Sequence, residues 1–165
     1  MLSTAIMLSV KSSISRSPHC LSNPTLEQEL SQQVHDLVNA INDRDFDSRS
    51  PAWRRATGDF VASTCFAELP PKTTNLEDFL HYMQWYTSFN PTYKLQVRDT
   101  GVTLNDKGSK SGVFVNFACA GSPAGTVRYS VGLLECEKML GNRYCTRYQC
   151  LPGLVYEDQD SCGGF

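Results

Sequence analysis

The sequence predicts an α+β domain in which helices come first and a bent antiparallel sheet follows. Apolar residues recur at three- and four-residue steps in the first part of the chain, ending near Asn90. Four strand-like runs then follow one another with only short Gly-, Pro- or Asn-containing turns between them, the pattern of a meander. In the run Gly112 to Ala120, alternation places Val113, Val115, Phe117 and Cys119 on one side and Phe114, Asn116 and Ala118 on the other. Both faces are partly apolar, so helices are expected over one and a second copy of the sheet over the other.

The first helix starts at Thr25, which can cap it with Gln28 as the reciprocal partner three residues on. Leu26, Leu30, Val34, Leu37, Val38 and Ile41 form its apolar stripe, and His35 lies off that stripe on the solvent side. Ser50-Pro51 signals a short second helix through Ala56, with Trp53 as its one large apolar residue. Phe60 to Leu69 reads as a short edge strand stopped by Pro70-Pro71. Asn75 caps a third helix with Asp78 in its first turn; Leu76, Phe79, Leu80, Met83 and Tyr86 face inward, and His81 faces away. Tyr93 to Leu104 is the first long strand, and its apolar parity switches at Asp99-Thr100-Gly101, as a bulge would make it do. Gly112 to Ala120, Thr126 to Lys138 and Arg143 to Leu151 complete the sheet.

The chain has 165 residues, one domain's length, which is expected to span 25–152 between a disordered N-terminal tail, 1–24, and a flexible C-terminal one, 153–165. A net charge of −2 gives no electrostatic reason for a nucleic-acid partner, and no apolar run reaches the length of a membrane span. The seven cysteines include no CxxC pair and no Cys/His cluster at zinc spacing, so no metal is expected. They read as small buried hydrophobes in a reducing, cytoplasmic setting. The alternative is a mitochondrial one, because residues 1–24 hold seven serines and no acid.

The opening helix with its polar exit, Val34-His35-Asp36-Leu37-Val38-Asn39-Ala40-Ile41-Asn42-Asp43-Arg44-Asp45-Phe46-Asp47, the segment Trp53 to Phe66 and the hairpin Glu135 to Cys150 carry a resemblance. In this order they resemble the nuclear transport factor two-like superfamily, the cystatin-like cone shared by SnoaL-like polyketide cyclases, ketosteroid isomerase and scytalone dehydratase. In many members a Trp begins the last strand, where Tyr144 stands here. The small SnoaL-like cyclases and isomerases of fungal secondary metabolism are similar in length and layout. The resemblance implies a conical cavity between helices and concave sheet face, a homodimer through the convex face, and cofactor-free chemistry on a bulky apolar intermediate. It also covers non-catalytic binding members of the same fold.

Cyclisation, isomerisation or dehydration without a cofactor needs a proton donor and acceptor in one pocket. The histidine pair of scytalone dehydratase has no match here, since His35 and His81 point away and His19 is in the tail. Asp59, at the entry to the short strand, and Glu135, sharing parity with Tyr129, are the candidate bases. Tyr148 is the candidate acid or oxyanion donor. Trp53, Phe66, Tyr86, Asn116, Tyr129 and Tyr144 are expected to line the pocket, the tyrosines alternatively being plain core. Arg128 and Arg147 fall on the opposite parity and are expected on the convex face. Cys65 lacks a histidine to activate it and is set aside as a nucleophile.

Overall fold

The structure, a computed structural model, describes residues 25–63 and 72–156, the last five of these by backbone alone. Helix α1 (Leu26–Asn42) opens with the capping box expected of Thr25 and Gln28: the Gln28 amide N–H donates to Thr25 Oγ1, and Thr25 N–H donates to Gln28 Oε1. Leu30, Val34, Val38 and Ile41 are buried along its inner stripe, each stabilising the fold by about 1.5–3 kcal/mol relative to exposure. A single 3₁₀ turn (Trp53–Arg55) leads into strand β1 (Ala56–Ser63). Helix α2 (Leu76–Phe89) is capped by the Asn75 side chain, which accepts from Asp78 N–H.

Four strands follow: β2 (Lys94–Leu104), β3 (Lys110–Ala120), β4 (Val127–Met139) and β5 (Asn142–Tyr156). The sheet order is β1-β5-β4-β3-β2. β2 to β5 form the expected antiparallel meander, and the register shifts between Val97 and Asp99, just before the expected bend. On the inner face lie Val113, Val115, Phe117 and Cys119 of β3 and Leu134 and Cys136 of β4, forming one core with α1, α2 and Trp53.

Four expectations need correction. Among the described residues there are two α-helices, because the Ser50-Pro51 segment closes only the 3₁₀ turn before the chain extends. β1 begins at Ala56 rather than Phe60, and residues 64–69 of the expected strand lie outside the described residues, with Cys65 and Phe66 among them. The sheet is mixed: β1 lies parallel to β5 on one edge, since α2 carries the chain across to β2 on the other. β5 also continues past its expected end at Leu151, to Tyr156.

One residue on each sheet edge has both its backbone groups satisfied from elsewhere in the chain. On β2, Asn42 donates to Leu95 C=O at 2.9 Å and accepts from Leu95 N–H at 2.8 Å. On β1, Thr73 Oγ1 accepts from Ala62 N–H while Thr73 N–H donates to Ala62 C=O. Edge groups satisfied in this way are not available to recruit a foreign strand. Arg44, with φ at 63°, folds its guanidinium back to donate to the carbonyls of Ile41, Pro91 and Tyr93, which fixes the exit of α1 against the entry to β2.

Candidate functional site: an apolar cavity inside the cone

Between the two helices and the inner sheet face lies a cavity of about 80 Å³. Its walls are almost wholly apolar: Val34, Val38 and Ile41 from α1, Phe79 and Met83 from α2, and Val115, Phe117 and Leu134 from the sheet. Trp53 lines it from the 3₁₀ turn, its indole N–H donating to Asp45 C=O at 2.7 Å and its ring edge-on to Phe79. Buried with its one polar atom satisfied, Trp53 acts as wall and core together. The volume exceeds that of a water site and falls short of the roughly 300–1,000 Å³ of drug-sized ligand pockets.

A few residues with polar atoms stand among the lining: Tyr93 just before β2, and a group on the sheet. Tyr148 of β5, Ser130 of β4, Cys119 of β3 and Cys150 of β5 all line it. Cys119 Sγ stands 3.7 Å from Ser130 Oγ. Burial pushes the Cys119 thiol up; the Ser130 hydroxyl opposes this, the nearby Cys150 adds to it, and the Arg128 charge opposes it. Gly132 explains how Tyr148 fits. A Cβ built there would stand 2.7 Å from the Tyr148 ring and 2.8 Å from the Phe117 ring, so both rings lie directly on the glycine backbone. The absent side chain is what lets Tyr148 reach inward.

The expected site residues divide sharply. Trp53 and Tyr148 line the cavity. Tyr86 is buried, hydrogen-bonded to the Ser122 hydroxyl and edge-on to Tyr93, but outside the cavity lining. Asp59 is exposed on β1, and Phe66 lies outside the described residues. Glu135, Tyr129 and Asn116 are on the convex face: Glu135 lies 3.9 Å from Arg147, Tyr129 is 43% exposed and Asn116 is exposed. The β3–β4 register is the reason, since Phe117↔Ser130 and Val113↔Leu134 turn the even-numbered β4 residues inward and the odd ones outward. Tyr144 pairs with Glu137 on that same outer face, because an extra residue at Thr146 separates its parity from that of Tyr148.

That register also reverses the expectation for Arg128. It pairs with Cys119, an inner-face residue, and its Nε is buried without a hydrogen-bond partner among the described residues. Arg147 is on the convex face as expected. Sequence reasoning missed Cys119, Ser130, Gly132 and Cys150; the signal that finds them is hairpin register, which a turn over residues 121–126 carries from β3 onto β4. Among the described residues no group of three or more His, Cys, Asp or Glu could hold a metal ion, and no helix is long and apolar enough to cross a membrane.

With this geometry in hand, the comparisons with known proteins define a fold class. No family model matches the chain, and no curated protein does. Solved structures match it well. A protein of unknown function from Pseudomonas putida KT2440, described as NTF2-like, is similar over 75% of this chain and 84% of its own, at 13% identity and a TM-score of 0.60. A candidate scytalone dehydratase from Novosphingobium aromaticivorans is similar over 77% and 83%, at 8% identity and 0.61. A candidate polyketide cyclase from Xanthomonas campestris pv. campestris is similar over 75% and 90%, at 20% identity and 0.50. Identities this low show the fold alone: the chain has the NTF2-like, cystatin-like fold.

Proposed function

We propose that the cone binds a small, mostly apolar molecule. The observation that carries this reading is the cavity itself, walled by aliphatic and aromatic side chains with a few hydroxyl- and thiol-bearing residues among them. That composition orients a ligand by a few polar contacts while burial supplies the affinity. Neither Asp59 nor Glu135 is among the lining residues, so the walls favour binding over carboxylate-based catalysis. The test is a titration with single-ring and short-chain compounds followed by NMR. Shifts confined to residues such as Val115, Ser130 and Tyr148 support the reading; shifts scattered over the surface, or none, overturn it.

The second reading is a cofactor-free cyclase, isomerase or dehydratase, favoured by the placement of Tyr148 in the cavity. A phenol in an apolar site can donate to a developing oxyanion or deliver a proton. A bulky natural-product intermediate requires the 80 Å³ space to widen, by displacement of side chains such as Met83 or Phe79. Turnover of a polycyclic ketone that disappears in Tyr148→Phe distinguishes this reading from simple binding. Part of the same proposal is a homodimer through the convex face, where Phe114 and Leu151 are 46% and 64% exposed. A cytoplasmic setting, with the mitochondrion as the alternative, completes it.

A further inference from the structure

Beside Cys119 and Ser130 in the cavity wall, Arg128 keeps a buried N–H donor that no described residue answers. Its register partner Cys119 and its second neighbour along β4, Ser130, both line the cavity. Its Nε is buried and makes no hydrogen bond among the described residues, and Arg128 takes part in none of the ion pairs found there. Its charge is felt at the cavity wall, where it works against the burial that raises the Cys119 thiol. Arg128 as a whole is half-buried, but a buried N–H with no acceptor is costly, so an acceptor arriving with a ligand would recover free energy already spent in folding. Guanidinium groups match carboxylates best, through two parallel N–H···O bonds.

We propose that the ligand of this cavity is an amphipathic acid, with a short apolar chain or single ring in the cone and a carboxylate bound by Arg128, assisted by the Ser130 hydroxyl. The assignment rests on the small-molecule reading above and names the class of molecule within it. It also matches what surrounds the cavity: apolar walls suit the body of the molecule, and the Arg128 cation beside Cys119 and Ser130 suits its head.

The experiment compares hexanoate with 1-hexanol, two probes of equal chain length, on the full chain and on Arg128→Met, which keeps the apolar stem of the side chain. Wild-type protein should bind hexanoate roughly tenfold or more tightly than hexanol, as a charge-assisted hydrogen bond implies. In Arg128→Met the two should become equal, with hexanol unchanged. The Arg128 Nε–H resonance of the wild type gives a second readout that needs no variant: it should shift with hexanoate and stay still with hexanol. If hexanol binds wild type as tightly as hexanoate, or the Nε–H signal does not move, the acid assignment is overturned while the cavity reading stands. If neither probe binds at all, the cavity reading falls and the assignment with it.

A different pair of residues carries an independent inference. Cys136 and Cys145 occupy paired positions on β4 and β5, both at most 1% exposed, with their sulfurs 3.1 Å apart. Gln33 of α1 donates to Cys145 Sγ at 3.0 Å, while its own Oε1 is buried without a partner. The hydrogen bond from Cys145 lowers the Cys136 thiol, with Arg143 acting in the same direction, and the same bond raises that of Cys145. The two thiols share one contact, and either can supply its proton. We infer that these two cysteines close into a cross-strand disulfide when a low-molecular-weight disulfide is supplied.

The exchange balances with glutathione disulfide as oxidant. A thiolate of the pair attacks one glutathione sulfur, breaking its S–S bond and releasing one glutathione thiolate; the other cysteine's sulfur then attacks the protein sulfur of the mixed disulfide and releases the second. Two thiol hydrogens leave the protein and two reduced glutathiones form. Burial makes the reaction slow, so it is read at equilibrium by acid quench, alkylation in denaturant and peptide mapping under non-reducing conditions. A 136–145 linked peptide, absent from Cys136→Ser and from Cys145→Ser, is the expected result. Full alkylation of both thiols after equilibration, or glutathione left attached to either cysteine as the end product, overturns it.

Discussion

The two faces of this sheet are built from the same four long strands and solve different problems. The inner face takes Val113, Val115, Phe117 and Cys119, then Ser130, Gly132, Leu134 and Cys136, and holds nearly every residue of the cavity that the sheet supplies. The outer face takes Phe114 and Asn116, then Tyr129, Val131, Leu133 and Glu135, with ion pairs at Glu135–Arg147 and Lys110–Glu137. The face with more bulk on β4 is the outer one. Cavity-forming surfaces need small residues where large ones from neighbouring elements must lie on them, so side-chain size alone points to the wrong side.

The comparison breaks most severely at Trp53, which closes the cavity from the helical side while being only 2% exposed. Trp53→Ala should lower stability by about 3–5 kcal/mol, by lost transfer energy plus the void left beside Phe79. Urea denaturation checks it; a loss under about 1 kcal/mol would mean that the cavity already isolates Trp53 from the core. Gly132→Ala should act next most strongly. The added methyl meets Tyr148 and Phe117 below 3.0 Å on the inner face, a misfit costing about 1–3 kcal/mol. Its sharper consequence is functional: Tyr148 must move, so ligand binding should fall more than stability does. Equal binding in the variant would show that Tyr148 is wall and nothing more.

These two residues also show how much of the molecule could be read from its sequence. The caps at Thr25 and Asn75 are local hydrogen-bond chemistry, and both formed as the residue types imply. The alternation on β3 was legible, with Val113, Val115 and Phe117 on one side, but Asn116 was expected in the pocket and lies exposed on the other side. On β4 the same rule selects Val131 and Leu133 over Ser130 and Gly132, which inverts the strand and with it the expected places of Tyr129, Glu135 and Arg128. Gly132 is small because two rings from other strands lie on it, a tertiary fact that no local pattern carries. Tyr144 and Tyr148 look equivalent until the extra residue at Thr146 is counted against β4.

Titration offers a subtler way to separate the faces. The Cys119 thiol is raised by burial on the inner face, whereas the Cys136–Cys145 pair holds one thiol lowered and one raised, so Cys119 carries the expected trend. Below the unfolded thiol pKa both states hold the proton and the contribution is fully present. As pH rises past about 9 the unfolded chain releases protons that the folded chain keeps, so stability should fall. Denaturation midpoints between pH 8 and pH 10.5 check this, and Cys119→Ala should flatten the decline. A midpoint that stays constant over that range would mean that this thiol ionises as readily folded as unfolded.

The smallest expected effect lies on the outer face. Glu135 and Arg147 lie 3.9 Å apart with their side chains 42% and 47% exposed, so water and salt screen the pair. Glu135→Gln should change stability by no more than about 0.5 kcal/mol, at the low end for surface ion pairs, and the change should shrink in 1 M salt. The same variant should leave ligand binding in the cone intact, because Glu135 is turned away from it by the register that turns Leu134 in. Asp59→Asn, on an exposed position of β1, should behave alike. If either variant abolished binding or turnover while the fold stayed intact, the site would have to reach beyond the cavity to the sheet's outer or edge surface. The acid–base reading would then regain the carboxylate that the cavity walls do not supply.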